Sequence, residues 1–333
     1  MIICAIETSC DETSVAIIED DQVLSNAVST QIEIHKEYGG VFPEVASRLH
    51  VENINFVIQE AFEKADKAFE DIDYVAVTQG PGLIGSLHIG MMAAKTLAFS
   101  LDVPLVPVHH IIGHIYANKL SGELTFPLLA LVVSGGHTEL VYMEEDFKFE
   151  VIGRTQDDAV GEAYDKVARQ MGLSYPGGPI IDKLAKQGEA QYDLPRVKME
   201  NPLDFSFSGL KSSVRQLMLR EERNNRPLNV ENLAYAFQER ATDELITRVQ
   251  LALDSYDIQT LVLAGGVAAN SRLREKTNAL KSAYPNLNIL IPPLWACMDQ
   301  AAMIGLAAKP YIEREMFGSC EISALSNKPI ETY

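Results

Sequence analysis

Apolar runs separated by short polar turns open the chain, and the same pattern returns near its middle. The first three runs are Ile2–Glu7, 14–18 and 23–29. The later three are Leu128–Val133, 138–142 and 148–152. Runs of this length, bounded by Ser, Asp, Asn and Gly, predict β-strands joined by tight turns. We therefore expect two three-stranded meanders.

Alternating helical and strand patterns follow each meander. In the first half these predict a helix over 44–69, a strand over 74–78, a helix over 85–100 and a strand over 105–108. In the second half they predict helices over 160–171 and 230–256, a strand over 260–263, a helix over 271–283 and a strand over 287–291. Three strands followed by helix–strand units, written twice, favour a duplicated α/β fold with mixed sheets covered by helices. Two unrelated α/β domains are the alternative.

The composition is that of a globular protein long enough for two domains. Its 333 residues are 47% hydrophobic and 22% charged, which matches ordinary globular chains. The sequence starts directly with a strand-like segment and lacks the basic region of a secretory signal, so we expect a cytoplasmic protein. Its cysteines form no CxxC pair, which argues against a disulfide framework or a thiolate zinc knuckle.

The charge balance bears on nucleic-acid binding. A formal net charge of −18 opposes nonspecific attraction to nucleic acid. One region departs from this balance, since cations outnumber acidic residues within 196–226. The cations are Arg196, Lys198, Lys211, Arg215, Arg220, Arg223 and Arg226. They form either a solvated mixed face or one candidate contact for RNA. If RNA is a ligand and does not bind there, a more basic partner must supply the surface.

Two histidines, His110 and His114, stand four residues apart after Pro107, in a stretch compatible with a helix. On a helix this spacing places both imidazoles on one face, within reach of one metal ion. A zincin protease carries a glutamate directly after the first histidine as general base, and here that position is Ile111. The pair therefore predicts a metal site without the base of that peptidase class. Two core or capping histidines are the alternative.

Asp299 precedes an apolar helical stretch that runs through Ala308. It could be the N-cap of that helix. As a hard oxygen ligand it could instead complete a His-His-Asp set with His110 and His114. Such a set leaves coordination positions open for substrate oxygens, as at Fe(II) or catalytic Zn(II) sites.

Two glycine pairs lie where a nucleotide phosphate could be held. Gly135 and Gly136 join two strands, and Gly265 and Gly266 lie between a buried strand and a helix. Adjacent glycines let backbone N–H groups converge on an anion, and a helix N-terminus adds its dipole. Each pair alone is an ordinary turn. Together, at matching places in an α/β protein, they favour a nucleotide-binding site.

Two carboxylates near further glycines extend this prediction. Asp165 follows Gly161 near the start of a helix, and Asp182 ends a glycine-bearing loop predicted over 176–182. Acidic side chains accept hydrogen bonds from ribose hydroxyls in dinucleotide sites. Otherwise each carboxylate is an N-cap or a surface group.

Several motifs together resemble one family along the whole chain. They are Glu7-Thr8-Ser9-Cys10-Asp11-Glu12-Thr13, the His110/His114 pair, Val133-Ser134-Gly135-Gly136-His137-Thr138, Phe205-Ser206-Phe207-Ser208-Gly209-Leu210-Lys211 and Gly265-Gly266-Val267-Ala268-Ala269-Asn270. In this combination and order they resemble the bacterial tRNA threonylcarbamoyladenosine transferases, the TsaD family, formerly described as O-sialoglycoprotein endopeptidases or glycoproteases.

The resemblance implies an α/β fold of duplicated actin-like ATPase lobes, related to the sugar-kinase and ribonuclease H-like folds, with a nucleotide cleft between the lobes. We expect an N-terminal lobe of 1–108 plus roughly 305–333. The C-terminal lobe is expected over 109–304, with an inserted, partly basic segment near 176–226.

The resemblance also implies an activity. Family members move a threonylcarbamoyl group from threonylcarbamoyl-AMP to the exocyclic amine of the adenosine 3′ of the anticodon and release AMP. The tRNAs concerned read codons that begin with adenine. Besides tRNA, the implied partners are a paralogous subunit like TsaB and a small ATPase like TsaE, and no membrane is involved.

The implied site residues follow the motifs position by position. One divalent metal, with Fe(II) favoured over Zn(II), would be held by His110, His114 and Asp299. Substrate contacts are implied for Val133, Ser134, Gly135, Gly136, His137, Asp165, Gly178, Asp182 and Asn270. An ATP- or ADP-type nucleotide could also occupy the cleft.

A mechanism follows as a hypothesis. Threonylcarbamoyl-AMP is a mixed anhydride and is already activated, so the enzyme mainly positions it and stabilises charge. We expect the glycine pairs 135–136 and 265–266 to hold its adenylate part. Asp11 and Glu12 are candidates to accept or relay the proton of the attacking amine, or they only stabilise their turn.

Two other functions are weighed: a metal-dependent glycoprotein endopeptidase and a non-catalytic nucleotide-binding scaffold. Ile111 counts against the first, and the His-His-Asp set against the second.

Overall fold

The computed structural model describes residues 1–332 and shows two compact units. Unit 1 comprises Met1–Leu120 together with the chain from Pro292 onward, and unit 2 comprises Ser121–Ile291. The lobe boundaries expected from the sequence, after 108 and after 304, differ from these. The helix that starts at His110 and the segment that carries Asp299 both lie in unit 1, because that helix packs against the helix following Asp299.

Strands and helices alternate along the described chain. The strands are β1 Ile2–Glu7, β2 Glu12–Glu19, β3 Gln22–Thr30, β4 Tyr74–Gly80, β5 Leu105–His109, β6 Leu128–Val133, β7 Thr138–Met143, β8 Glu150–Arg154, β9 Thr260–Ala264 and β10 Asn288–Leu290. The α-helices are α1 Ile32–Tyr38, α2 Pro43–Ala65, α3 Ile84–Leu101, α4 His110–Tyr116, α5 Val160–Gln170, α6 Gly177–Ala185, α7 Ser208–Arg223, α8 Val230–Ser255, α9 Ser271–Ala279 and α10 Ala301–Glu313. Both predicted meanders are confirmed.

The two sheets repeat one topology. In unit 1 the order is β3-β2-β1-β4-β5, and in unit 2 it is β8-β7-β6-β9-β10. In each sheet the first three strands pair antiparallel, and the last two continue in parallel beyond the first strand of the meander. The predicted duplication of mixed sheets is therefore present in the strand order itself.

Helices cover both faces of the unit 1 sheet, which explains why its central strands are apolar along most of their length. Cys4 and Ile6 of β1 pack into one core with α2 and α3. Residues on the opposite face meet α10, where a Cβ on Gly305 would lie 2.4 Å from Ile18 and 3.2 Å from Ala5. Strands buried on both faces lose the polar alternation of a half-exposed sheet.

Three helices were not predicted from the sequence. The segment 176–182, predicted as a loop, is largely the start of α6, and neither α1 nor α7 was predicted. Glycine and proline at the start of α6 obscure its helical pattern, but close packing requires small residues there. A Cβ on Gly177 would lie 2.5 Å from the Cβ of Ala168 on α5. Tertiary contact here overrides local propensity.

Two predicted helices are shorter than expected. The helix predicted over 44–69 ends at Ala65, because Asp66 adopts a left-handed conformation with φ 51°. The helix predicted over 271–283 ends at Ala279 and continues as a 3₁₀ turn over Leu280–Ser282. Helix ends often tighten into 3₁₀ geometry.

The helix α3 is long and apolar enough to meet the length and composition of a membrane span. It packs against α2 and β4 and buries Leu87, Met91, Ala94 and Ala98. This is the arrangement of a core helix that covers a sheet.

Candidate metal centre and substrate-binding turns

His110 and His114 lie one turn apart on α4, as their spacing predicts. Strand β5 ends at His109, which caps α4 by accepting a hydrogen bond from the Ile111 N–H at 3.1 Å. The two rings meet edge to face, with centroids 4.7 Å apart and planes at 88°. Both side chains are buried and share one face of the helix.

Asp299 completes the cluster in unit 1. Its Oδ1 lies 3.0 Å from Nε2 of His114 and 3.6 Å from Nε2 of His110. The three donor atoms all lie within 4.8 Å of one another. Gly113 lies close to α10, and a Cβ at that position would be 2.9 Å from Cδ1 of Ile304. A small residue thus lets α4 and α10 pack closely beside Asp299.

Asp299 is not the N-cap of α10, which was one of its two predicted roles. Gln300 caps the helix by accepting a hydrogen bond from the Met303 N–H. Two strand residues accept the preceding N–H groups: Ser14 Oγ binds Ala301 N at 2.9 Å, and Asn26 Oδ1 binds Ala302 N at 3.1 Å. The carboxylate of Asp299 is therefore directed to the histidines rather than to the cap.

Glu7 supports His110 from behind, a role that the sequence did not reveal. Its Oε2 lies 3.2 Å from Nδ1 of His110, and Ser9 Oγ lies 3.1 Å from the same nitrogen. Thr78 donates to Glu7 Oε2 at 2.6 Å. Because a carboxylate at Nδ1 favours the tautomer protonated there, Nε2 keeps its lone pair on the side of Asp299, where it can ligate a metal. The sequence signal for this role is an acidic residue at the end of an apolar strand. The structure adds that the side chain of Glu7 is fully buried.

The charges around His110 favour a cation. Burial lowers the pKa of His110, but the carboxylates of Asp299 and Glu7 outweigh it and raise that pKa to about 9. Burial likewise tends to raise the pKa of Glu7, yet His110 and the Thr78 hydrogen bond bring it below its usual value. Two carboxylates around buried imidazoles stabilise positive charge at this point.

The residues present fit a divalent metal. Two imidazole nitrogens and a carboxylate oxygen converge, and such donors suit Fe(II) or Zn(II) with open positions. Among the described residues, Nδ1 of His114 is buried without a hydrogen-bond partner. An ion held at Nε2 would not satisfy this nitrogen, so the chemistry of the donor set itself carries the assignment of a metal site.

Asp11 and Glu12 are both buried at the turn between β1 and β2, in unit 1. Burial, followed by the nearby Asp11 and Asp299 carboxylates, raises the pKa of Glu12 well above its usual value. The turn is fixed from α2, since Nε2 of His50 lies 2.9 Å from the Cys10 carbonyl oxygen. A carboxylate with a raised pKa in a fixed turn suits proton transfer.

In unit 2 the turn between β6 and β7 presents its glycines outward. Ser134 N donates to the His137 carbonyl at 2.9 Å, and Ser134 Oγ accepts from His137 N at 3.0 Å. Gly135 and Gly136 are exposed, and a Cβ added to either would meet no heavy atom within 4 Å. Val133 is buried at the end of β6 and anchors the turn. The open space beside two glycines suits a bound ligand.

The second glycine pair packs directly against this turn. Gly265 has φ +91°, and a Cβ there would lie 2.5 Å from the Val133 carbonyl oxygen, so only glycine fits. Gly266–Ala269 forms a 3₁₀ turn, and α9 follows. Asn270 caps α9 through Leu273 N at 2.9 Å. The two predicted glycine turns thus lie together in unit 2.

Helix α6 connects the remaining predicted contacts. Asp165 Oδ1 accepts from Gly177 N at 2.7 Å, and burial raises the pKa of Asp165. Asp182 Oδ1 accepts from Ser271 Oγ at 2.7 Å, next to Asn270. Gly178 lies between them with no heavy atom within 4 Å of an added Cβ. Asp165, Gly178, Asp182 and Asn270 are therefore linked through one short helix.

Asp157 was not singled out from the sequence, yet it fixes the motif of 205–211. Its Oδ1 accepts from Phe207 N at 2.8 Å and from Ser208 N at 3.3 Å, and its Oδ2 accepts from Ser208 Oγ at 2.6 Å. Partial burial would raise the pKa of Asp157, but the hydrogen bonds from Ser206, Ser208 and the backbone lower it. The carboxylate acts as a distant cap for α7.

Comparison with known proteins identifies the family. The family model described as TsaD: tRNA N6-adenosine threonylcarbamoyltransferase matches residues 22–306. A Bacillus licheniformis protein with that name is 51% identical, covering 100% of this chain and 98% of its own. A Staphylococcus aureus protein of the same name is 52% identical, with the same coverage.

Solved structures with the same fold are more distant in sequence. Full-length HypF, in a phosphate- and nucleotide-bound form, superposes with a TM-score of 0.62 at 15% identity, covering 96% of this chain and 47% of HypF. The activator of the 2-hydroxyisocaproyl-CoA dehydratase from Clostridium difficile, with bound ADPNP, gives a TM-score of 0.53 at 13% identity, covering 95% and 97%. These likenesses confirm the predicted actin-like α/β fold. The chain belongs to the TsaD family of tRNA N6-adenosine threonylcarbamoyltransferases and is a tRNA-modifying transferase.

Proposed function

We propose that the chain transfers a threonylcarbamoyl group from threonylcarbamoyl-AMP to the exocyclic amine of the adenosine 3′ of the anticodon, in tRNAs that read codons beginning with adenine. The family membership supports the reaction class. The observation that carries the proposal for this chain is the convergence of His110, His114 and Asp299, with Glu7 behind His110. A chain that kept only the fold would not need this buried donor set.

The metal would be held by His110, His114 and Asp299, with Fe(II) favoured over Zn(II). When bound there, such an ion supplies Lewis acidity that polarises an oxygen of the reacting group. The contribution of the protein is to fix the donors: Glu7 and Ser9 orient His110, and the capping of α10 by Gln300 leaves Asp299 directed to the histidines.

The residues of unit 2 would bind the adenylate part of the donor. Gly135 and Gly136 are exposed residues whose backbone a phosphate could approach closely, and the glycine turn that begins at Gly265 lies beside them. Asp165 and Asp182 supply carboxylate oxygens for hydroxyl groups. Val133, Ser134, His137, Gly178, Gly266 and Asn270 complete the proposed substrate contacts.

Asp11 and Glu12 would take the proton. In the transfer, the amine nitrogen forms a bond to the carbonyl carbon, the bond from that carbon to the phosphate oxygen breaks, and AMP leaves. The attacking nitrogen must lose one proton, which passes to the Asp11–Glu12 pair. Their burial and the raised pKa of Glu12 support this role.

The setting proposed for this reaction is the cytoplasm, with three macromolecular partners. These are tRNA, a paralogous subunit like TsaB and a small ATPase like TsaE, and an ATP- or ADP-type nucleotide could bind during turnover. The two other functions weighed from the sequence have less support. An endopeptidase of the zincin type needs a glutamate where Ile111 is buried. A non-catalytic scaffold would not need the donor set.

Reconstitution tests the proposal. The full chain, its partner proteins, threonylcarbamoyl-AMP made with labelled threonine, and unmodified tRNA are combined, and label in tRNA is measured. We expect transfer by the wild type and a loss of at least about a hundredfold for His110→Ala and Asp299→Ala, since removed metal ligands abolish charge stabilisation. Full transfer by both variants, or none by the wild type with partners present, contradicts it.

A further inference from the structure

We propose that an exposed cationic face formed by Arg215 and Arg223 of α7 and by Arg226 binds the phosphate backbone of the tRNA substrate. This α7 cationic face has no role in the transfer chemistry described above. The inference rests on the proposed function, because it takes tRNA as the substrate. Its partner is identified by chemistry, as a polyanion with regularly spaced phosphates.

The charge of the whole chain makes a local cationic face informative. A net charge of −18 opposes nonspecific attraction of a polyanion. A tRNA contact made by this chain itself therefore needs a local concentration of positive charge. Between Ser208 and Arg226 the chain carries five cations against two acidic residues, and one of those two, Glu221, is buried.

The arginines of this face are exposed and lack ion pairs within the described chain. Many other surface cations are already paired. Lys148 lies 2.5 Å from Glu144, and Lys309 lies 2.7 Å from Asp21. A paired cation offers little net charge to a ligand, whereas an unpaired guanidinium can form a bidentate contact with a phosphate.

Helical spacing places the charges together. Arg215 and Arg223 are eight residues apart, so they share one face and lie about 12 Å apart along the axis. The opposite side of α7 is buried through Leu210, Val214 and Leu217. The chain then turns back, with Arg226 N bonded to the Glu221 carbonyl oxygen at 2.9 Å.

The turn of the chain builds a groove rather than a flat patch. A groove of about 570 Å³ is lined by the charged residues Arg215, Glu222 and Arg226, by Gln170, and by the apolar residues Met218, Leu219 and Leu228. Guanidinium groups beside apolar side chains suit a sugar–phosphate backbone, whose phosphates take the charge while the sugars contact apolar surface. An acidic protein segment is the other partner that this charge could attract.

The start of α7 favours RNA over an acidic protein, because it is tied to the substrate turn. Asp157 holds the first N–H groups of α7, and Lys211 lies 2.8 Å from Asp158. These two aspartates directly precede α5, where Gly161 N donates to the Ser134 carbonyl at 3.2 Å. Helix α7 therefore begins beside the proposed substrate turn and extends about 24 Å from there. A tRNA that reaches a donor held at this turn would pass along such a track.

Salt-dependent binding tests the inference. The metal-loaded full chain with its partner subunits is titrated with unmodified, fluorescently labelled tRNA at KCl concentrations from about 50 to about 300 mM. For the triple variant Arg215→Gln, Arg223→Gln, Arg226→Gln we expect Kd to rise at least about tenfold, and the slope of log Kd against log salt to fall by about 2, since each lost phosphate contact removes roughly 0.7–0.9. In transfer assays the triple glutamine variant should have a higher KM for tRNA and an unchanged kcat.

Two control variants separate charge from folding. Lys148→Gln removes an exposed cation of unit 2 at the end of the β7–β8 hairpin farthest from Ser134, and it should leave Kd and slope unchanged. The triple arginine-to-lysine variant keeps the charge, so most of the salt slope should return.

The outcomes are distinct. Unchanged Kd and slope in the glutamine variant overturn the inference. Loss of partner assembly with unchanged tRNA affinity also overturns it, in favour of protein docking. If the wild type binds tRNA but transfers nothing, the proposed function fails, while the binding comparison still decides the role of the α7 cationic face.

Discussion

At the scale of single residues, the candidate metal centre depends on contacts between side chains far apart in the sequence. Glu7 lies against Nδ1 of His110 across 103 positions, and Asp299 reaches His114 across 185. Each contact restricts the next, because a carboxylate behind an imidazole fixes both its tautomer and its direction. The donor atoms are thus arranged by the fold of unit 1 before any ion binds.

Glu7→Gln tests this arrangement. The change keeps the size of the side chain but removes the charge that holds His110, so metal affinity should fall by about 10- to 100-fold. Titration of the metal-free chain with Co(II), followed by its visible absorption, measures the dissociation constant. Glu19→Gln on the outer end of β2 is the matched control, because Glu19 pairs with Lys67 and is remote from the histidines. Equal affinities for Glu7→Gln and wild type would refute the orienting role.

At the scale of elements, close packing of short helices shapes the substrate turns. The start of α5 lies against the β6–β7 turn so closely that a Cβ on Gly161 would be 2.6 Å from the Ser134 carbonyl oxygen. Helix α6 then joins α5 to α9 through Asp165 and Asp182. The position of the turn is therefore set by how these helices pack, not by the turn sequence alone.

Gly161→Ala should displace that turn. Because the neighbouring atoms are backbone, they cannot rotate away, so we expect a loss of about 1–3 kcal/mol in the free energy of unfolding. The affinity for AMP should fall at least about tenfold, since the N–H groups at Gly135 and Gly136 lose their alignment. Urea denaturation and calorimetric titration measure the two effects.

Gly209→Ala is the control for this substitution. Gly209 is in the first turn of α7, and an added Cβ would meet no heavy atom within 4 Å. Alanine there should leave stability unchanged or raise it slightly, because it favours the helix. If both alanine variants behaved alike, close packing at Gly161 would not explain the position of the turn.

Much of the fold could be predicted from the sequence, because strands and long helices are encoded by local periodicity. The position of α6 could not, since Pro176 and its two glycines suggest a loop until their packing against Ala168 is known. The cap of α10 is a similar case. Both Asp299 and Gln300 are plausible caps, and the structure selects Gln300 because Ser14 and Asn26 bind the adjacent N–H groups.

The candidate site likewise contains residues that the sequence revealed and residues that it did not. The His110/His114 spacing is local, so the sequence revealed it, and Asp299 could be added because of its chemical type. Glu7 and Asp157 were missed because their roles exist only through long-range contacts. A buried acidic residue at the end of a strand is a weak signal until its partner is known.

At the scale of the whole molecule, two units of one topology carry different chemistry. Unit 1 contains the donor cluster and the buried Asp11–Glu12 turn, whereas unit 2 contains the glycine turns and the α7 cationic face. The duplicated fold therefore supplies two scaffolds on which separate functional groups have been placed. In a chain with a net charge of −18, the proposed tRNA contact is such a local specialisation.

The most direct test of the account is threonylcarbamoyl transfer by the full chain with and without its metal. The chain is stripped with a chelator, its metal content is measured, and label transfer to tRNA is followed with partners and threonylcarbamoyl-AMP present. We predict one bound Fe(II) or Zn(II) per wild-type chain, no transfer by the stripped chain, and recovery when the ion is restored. Full transfer by the stripped chain would contradict the role assigned to His110, His114 and Asp299.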